Sequence, residues 1–305
     1  MKVILGQPRG FCAGVNRAIA VVETALKKYG APVYVRHEIV HNRTVVESLR
    51  KKGAVFTDDL NEVPCGSIIV FSAHGVSKSV EEKARSRNLK IIDATCPLVM
   101  KVHREVKIMH DEGRFIIMIG HKGHAEVEGT MGQIDGGIVR VDSVQDVESL
   151  NFPAGTALGY VTQTTLSADE TRIIISRIKS RWPGIRSLAP ADICYATQSR
   201  QHAVSKLSGE VDLFLIIGSQ TSSNSNRLRD KAQASGVEAH LIDSYQDISL
   251  AWLDGKQCVG VTAGASAPEH LVQEVVAFLR DHGAVSVETM PGEQDRIKFP
   301  LPARI

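Results

Sequence analysis

Short apolar runs recur along this chain, each closed by a polar or glycine-rich exit and followed by a stretch with apolar positions every three or four residues. The runs read as buried strands and the stretches after them as amphipathic helices. In Leu89 to Val102, LKIIDATCPLVMKV, Ile91 and Ile92 predict a strand, Asp93-Ala94-Thr95 its polar exit, and Pro97 stands where a first helical residue is favoured. Cys96 therefore falls at a strand-to-helix turn. A thiol there faces unpaired helix N–H groups and the positive end of the dipole, which favour the thiolate, the form that binds metal.

The same turn recurs at Cys12 and Cys194, so the chain carries an internal repeat of about one small domain, 84 residues from Cys12 to Cys96 and 98 from Cys96 to Cys194. After each cysteine the periodicity predicts a helix, over Val15 to Tyr29, Leu98 to Glu112 and Gln198 to Ser208. Next come strands at Val33 to Val35, Phe115 to Ile119 and Leu213 to Ile217, with the polar exits RHEIVHNR, GHKGHAEVEG and GSQTSSNSNR. Helices follow at Thr44 to Lys52, from Val127 onward, and at Arg227 to Ser235, then strands at Ala54 to Phe56, Ile138 to Val141 and Ala239 to Ile242. An acidic connection and one more strand lead to a second exit, SAHGVS, VTQTTLS or TAGASAPEH, and to helices at Val80 to Arg87, Ala168 to Ile178 and His270 to Leu279.

Strands alternating with helices predict right-handed crossovers and parallel sheets, with ligands at the carboxyl ends of the strands. The expected fold is α/β: three repeats, at 1–95, 96–193 and 194–285, arranged pseudo-threefold like a trefoil about a central cavity, with a C-terminal tail at 286–305. Turn chemistry alone favours Gly, Ser, Asn and Thr at exits, so one exit says little and nine in register say much more. Gly292 to Ile305 reads as irregular, either packed back on the repeats or left mobile.

Composition narrows the function. A chain of 305 residues with 43% hydrophobic and 23% charged residues is ordinary globular protein. The net charge of +2, without a basic run, argues against nucleic acid. No apolar run approaches the ~20 residues needed to span a bilayer and Met1 to Leu5 is too short for a signal-peptide core, so a cytoplasmic protein without membrane attachment is expected. Five cysteines without close pairs do not form a secreted disulfide framework.

Cys65, before Gly66, and Cys258, inside QCVGVT, read as small core residues. Cys12, Cys96 and Cys194 occupy one position in three repeats and together favour a three-thiolate metal site. Spacing does not choose the metal, since neither a C-x-x-C pair nor a ferredoxin-type run is present: zinc with a fourth ligand and a cubane with one open iron both remain. His41, His74 and His124 sit at exits, with Ser222, Ser223, Asn224 and Ser266 at others, a set suited to phosphate or diphosphate. His103 and His110 fall in a helix pattern and read as solvated or structural. Glu126, two residues after His124, is either a proton donor with a pKa raised by enclosure or a carboxylate at a helix start. Thr164 is placed to relay a proton or hold a hydroxyl. No Walker loop and no G-x-G-x-x-G is present.

Together, PRGFCAGV, EIVHNR, SAHGVS, DATCPLV, GHKGHAEVEGTMGQ, TQTTLS, DICYAT, GSQTSSNSNRL and GVTAGASAPE resemble the 4-hydroxy-3-methylbut-2-enyl diphosphate reductases, the last enzymes of the methylerythritol phosphate route to isoprenoids. The resemblance runs from the first strand to the last repeat and departs at Ala125, where many relatives have proline. It implies one oxygen-sensitive [4Fe-4S] cluster per chain, held by Cys12, Cys96 and Cys194 with one iron open to the substrate oxygen. It also implies diphosphate binding by His41, His74, His124, Ser222, Ser223, Asn224 and Ser266, with Thr164 near the allylic hydroxyl and Glu126 as proton source. Reduction to isopentenyl and dimethylallyl diphosphate would then draw electrons from a ferredoxin or flavodoxin-type donor. The readings set against this one are a zinc hydrolase of a phosphorylated small molecule and a non-enzymatic iron-sulfur sensor.

Overall fold

The computed structural model describes residues 1–187, 191–292, 295–303 and 305. The chain begins with β1 (Lys2–Leu5), α1 (Ala13–Tyr29), β2 (Val33–Arg36), α2 (Arg43–Lys51), β3 (Ala54–Thr57), β4 (Ile68–Phe71), α3 (Lys78–Ser86) and β5 (Lys90–Asp93). It continues through α4 (Pro97–Asp111), β6 (Phe115–Ile119), α5 (Ala125–Met131), β7 (Ile138–Val141), α6 (Val144–Ser149), β8 (Leu158–Thr162) and α7 (Ala168–Arg181). The last part is α8 (Tyr195–Leu207), β9 (Leu213–Ile217), α9 (Ser223–Ala234), β10 (Glu238–Ile242), β11 (Cys258–Ala263), α10 (Glu269–Asp281) and β12 (Ser286–Thr289). The predicted strands lie within a residue of those observed. The helices after Cys12 and Cys194 start two and three residues earlier than periodicity suggested, because their first turns carry no regular apolar stripe, while α4 starts at Pro97, where the proline favours a first helical residue.

Among the described residues every strand pairing is parallel, in three sheets ordered β10-β9-β11-β1-β12, β3-β2-β4-β5 and β7-β6-β8. The expected α/β class with parallel sheets is therefore the observed one. The chain divides into two compact units. One comprises Met1–Asn16, Val40–Lys51 and Tyr195–Lys298 and contains the five-stranded sheet; the other comprises Arg17–Ile39, Lys52–Cys194 and Phe299–Ile305 and contains the other two.

The unbroken apolar run of β9 is explained by burial on both faces. Leu213, Leu215 and Ile217 pack with Leu271, Val272 and Val275 of α10, while Phe214 and Ile216 pack with Val204 and Leu207 of α8 and Leu228 of α9. β6 repeats the arrangement. Ile117 and Ile119 meet Ile174, Ile175 and Ile178 of α7, and Ile116 and Met118 meet Val102, Val106 and Met109 of α4. Each such side chain contributes about 1.5–3 kcal/mol by leaving water. With its faces covered, a strand presents only its carboxyl end and exit to a ligand, which is where the polar motifs lie. No helix among the described residues is long and apolar enough to cross a membrane.

The tail contains no helix or strand among the described residues after β12, yet it is anchored: the Arg17 guanidinium donates to the Pro300 carbonyl at 2.8 Å, and Lys28 reaches Ile305. Cys65 corrects the sequence reading. It is exposed in the turn after Pro64, since a loop between a short helical turn and β4 has no neighbouring layer to bury it. Cys258 is half-buried at the start of β11.

Candidate functional site

All three repeat cysteines immediately precede a helix: Cys12 before α1, Cys96 before α4 and Cys194 before α8. At Cys96 the turn is the N-cap of α4 with Pro97 behind it, and the thiol makes no cap hydrogen bond. At Cys12 the sulfur accepts the Val15 N–H at 3.4 Å. Each cysteine N–H donates to the carbonyl of an equivalent second exit: Cys12 to Ala265 at 3.1 Å, Cys96 to Ala73 at 3.0 Å and Cys194 to Thr164 at 2.9 Å. At Cys96 this bond extends the β4–β5 parallel ladder beyond the strands, and the bonds place the cysteine turn beside Ser266 in one case and His74 in the next. In the third, Thr164 itself is the neighbour.

Around Cys194 the carboxylate stands out. Glu126 is the second residue of α5 and only 2% exposed. Its Oε1 accepts the Thr164 N–H at 2.6 Å and its Oε2 accepts the Thr164 hydroxyl at 2.9 Å. The side chain thus reaches across to the exit of β8 and does not serve its own helix start. Burial pushes its pKa up to about 7, against the lowering effect of the two Thr164 bonds, and the Asp192 charge pushes the same way.

His124 is the N-cap of α5, its Nδ1 accepting the Glu126 N–H at 3.2 Å. In a neutral ring that bond puts the proton on Nε2, a donor suited to an anionic oxygen. The His124 and His74 rings meet edge to face at 5.8 Å, and His74 Nδ1 lies 3.2 Å from Ser72 Oγ. A cavity of about 540 Å³ opens beside them, lined by Ser72, Gly75, Gly123 and Ala125 and by Arg36 and His37, both paired with Asp58. His103, on α4, is largely shielded from water: burial drives its pKa down to about 4, with Lys107 adding to the shift.

In the other unit the hydroxyl exits converge. Ser222, the N-cap of α9, has its Oγ 3.3 Å from Ser266 Oγ and accepts from Asn224 Nδ2 at 2.9 Å and Ser225 Oγ at 2.9 Å. Asn224 Oδ1 accepts the Ala265 N–H at 2.7 Å, and Ser266 Oγ donates to the His41 carbonyl at 3.0 Å. Ser223 is the first residue of α9. This unit therefore brings His41, Ser222, Asn224, Ser266 and Cys12 onto one hydrogen-bonded set of loops. Ser225, fully buried inside it, was missed, although SSNSN is a visible run of small polar residues. Gly264 makes room for it: a Cβ there would stand 2.0 Å from Ser225 Oγ.

Among the described residues no three or more of His, Cys, Asp and Glu gather closely enough to hold a single metal ion. A cubane, which places each thiolate on a separate iron, asks for wider spacing. Three half-buried cysteines at equivalent helix starts, none in a disulfide, are a donor set of the kind such a cluster takes.

A model of the LytB protein family matches residues 3–280. The 4-hydroxy-3-methylbut-2-enyl diphosphate reductase of Bordetella pertussis is 58% identical over 301 residues, covering 99% of this chain and 93% of its own length. That of Dechloromonas aromatica is 55% identical over 302 residues, covering 99% of both. Among solved structures, the E-1-hydroxy-2-methyl-but-2-enyl-4-diphosphate reductase of Plasmodium falciparum superposes with a TM-score of 0.96 at 41% identity, over 99% of this chain and 95% of that one. With the family model spanning nearly the whole chain and relatives of this identity along it, the chain belongs to the LytB protein family, the 4-hydroxy-3-methylbut-2-enyl diphosphate reductases.

Proposed function

We propose that Glu126 is the proton donor of the reductase reaction, with Thr164 as its partner at the substrate hydroxyl, and that Cys12, Cys96 and Cys194 hold one [4Fe-4S] cluster. The division into repeats at 1–95, 96–193 and 194–285 underlies the cysteine assignment, one ligand coming from the start of the chain and one from each repeat boundary. An iron-sulfur cofactor follows from family membership. When bound, the cluster supplies two electrons one at a time and, at its open iron, a Lewis acid for the substrate oxygen.

The reaction consumes two electrons and two protons, breaks the allylic C–O bond and releases water. The chain's part begins with the diphosphate, which His41, His74, His124, Ser222, Ser223, Asn224 and Ser266 would hold through N–H and O–H donors. Glu126 then gives the proton that lets the hydroxyl leave as water. A carboxyl buried to 2% exposure with a pKa near 7 is poised for this, because it carries its proton in about half of the molecules at neutral pH and gives it up easily. When Glu126 is protonated, its O–H can donate to Thr164 Oγ1, which frees the Thr164 hydroxyl to turn toward the substrate. A second proton, added at either end of the reduced allylic framework, yields isopentenyl or dimethylallyl diphosphate. Electrons would come from a ferredoxin or flavodoxin-type donor. A reducing, cytoplasmic setting suits cysteines that form no disulfide.

The observation carrying this reading is that one residue, Thr164, holds both oxygens of Glu126 and receives the Cys194 N–H. The test is anaerobic purification followed by iron and sulfide analysis and product assay with a strong artificial reductant. Brown protein forming both C5 products is expected; a colourless, zinc-loaded and fully active protein would overturn it.

A further inference from the structure

The helix behind each cysteine carries one long basic side chain at nearly the same place: Arg17 five residues after Cys12, Lys101 five after Cys96, and Arg200 six after Cys194. Each reaches the turn leading into a different cysteine. Arg17 Nη1 donates to the Thr95 carbonyl at 3.0 Å, one residue before Cys96. Lys101 Nζ lies 3.1 Å from Asp192 Oδ1, two residues before Cys194. Arg200 donates from Nε at 3.2 Å and from Nη2 at 2.7 Å to the Gly10 carbonyl, two residues before Cys12. The sequence of contacts closes on itself, 12 to 96, 96 to 194 and 194 to 12.

These contacts do more than decorate a surface. Arg17 is 7% exposed and Arg200 only 1%, making Arg200 the largest fully buried side chain among the described residues. A guanidinium is taken out of water only where its donors are used, and charge-assisted bonds of this kind are stronger than those between neutral groups. The carbonyls of Thr95 and Gly10 sit in exits, outside any sheet ladder, so a buried cation is what satisfies them. Asp192 extends the same clamp into the exit of β8: its Oδ2 accepts the Thr162 N–H at 3.2 Å and its own N–H donates to Thr162 Oγ1 at 2.9 Å. Thr164 and Glu126 lie just beyond.

We infer that Arg17, Lys101 and Arg200 are positioning residues for the cluster, one device used three times, in which the cation behind one cysteine fixes the turn in front of the next. The inference rests on the reading that these cysteines are the ligands. Each turn is then held twice, by its cysteine N–H on the neighbouring exit and by a cation from another cysteine's helix. Loss of the Lys101 charge would leave Asp192 unneutralised two residues before Cys194, which disfavours the reduced, more negative cluster.

The test uses anaerobically reconstituted holoenzyme, with iron release to a chelator and the cluster's midpoint potential as readouts, and apo-protein melting as the folding control. Lys101→Met is the first variant, because Lys101 is 44% exposed and paired at the surface end of the clamp. It should release iron about tenfold faster, the scale of effect expected for residues that orient ligands, with a more negative potential. Lys101→Arg should restore both. Arg17→Lys, which cannot span the Thr95 and Pro300 carbonyls together, should speed release in the same direction. Wild-type release and potential in both Lys101→Met and Arg17→Lys would overturn the inference. So would loss that follows apo-protein stability alone, with no rescue by Lys101→Arg. Cys96→Ser and Cys194→Ser run in parallel separate the two failures: full iron retained in those variants defeats the ligand assignment itself, whereas iron lost there but unaltered in the cation variants defeats only the clamps.

Discussion

Glu126 and Thr164, 38 residues apart in the chain, are joined by two hydrogen bonds, the Thr164 N–H to Oε1 at 2.6 Å and the Thr164 hydroxyl to Oε2 at 2.9 Å. The two bonds hold the carboxylate plane toward Thr164, so its proton is presented to Thr164 and to the space beside it.

Glu126→Gln keeps the shape and removes the acid. Turnover should fall by about 10²–10⁴-fold, the range for a positioned general acid, with cluster content and substrate affinity retained. Near-normal turnover would return Glu126 to the role of a helix-start carboxylate.

The pH dependence has a definite sign. Burial holds the folded pKa of Glu126 near 7, above its unfolded value of 4.5. The folded state keeps this proton where the unfolded state has lost it, so the contribution is complete below pH 4.5 and is lost as pH rises to about 7. Denaturation of wild type and Glu126→Gln across that window should show the fall reduced in the variant. The catalytic profile should have an alkaline limb near pH 7, read from kcat under saturating substrate.

Thr164→Val removes the hydroxyl while leaving the backbone N–H in place. Because the Thr164 bonds lower the Glu126 pKa, loss of one should move the alkaline limb of kcat to higher pH. Turnover should drop as well, by about tenfold, as the relay through the hydroxyl disappears. A profile identical to wild type would separate Thr164 from the acid.

Gly264→Ala tests the hydroxyl cluster. The new methyl carbon would lie 2.0 Å from Ser225 Oγ and 2.9 Å from Asn224 Oδ1, so the Ser225 and Asn224 side chains, both hydrogen-bonded to Ser222 Oγ, must move. A loss of about 1–3 kcal/mol in stability is expected for such overpacking, together with a KM for the diphosphate substrate raised more than kcat is lowered. Chemical denaturation and steady-state kinetics check the two parts.

The cysteines should divide cleanly. Cys65, exposed in its turn, should react with an alkylating agent in the folded holoenzyme, and Cys65→Ser should change stability by no more than about 0.5 kcal/mol. Cys194→Ser should lose iron and turnover together. Full iron content in Cys194→Ser would remove it from the ligand set.

By itself the sequence determined whatever depends on near neighbours. Strand runs such as Phe115–Ile119 and Leu213–Ile217, the helices behind them and the cysteine turns were legible because unbroken apolar runs, 3.6-residue amphipathicity and the proline at 97 act over a few residues. The motifs carried the family for the same reason, each being a contiguous exit. Tertiary structure alone decided that β1 is inserted between β11 and β12, that Cys65 lies in the open, and that Arg17, Lys101 and Arg200 reach turns 78, 91 and 190 residues away. It also decided that Glu126 turns away from its own helix to Thr164. These are hydrogen bonds and burial between segments distant in sequence, fixed by the order of strands in the sheets, and no local pattern encodes that order.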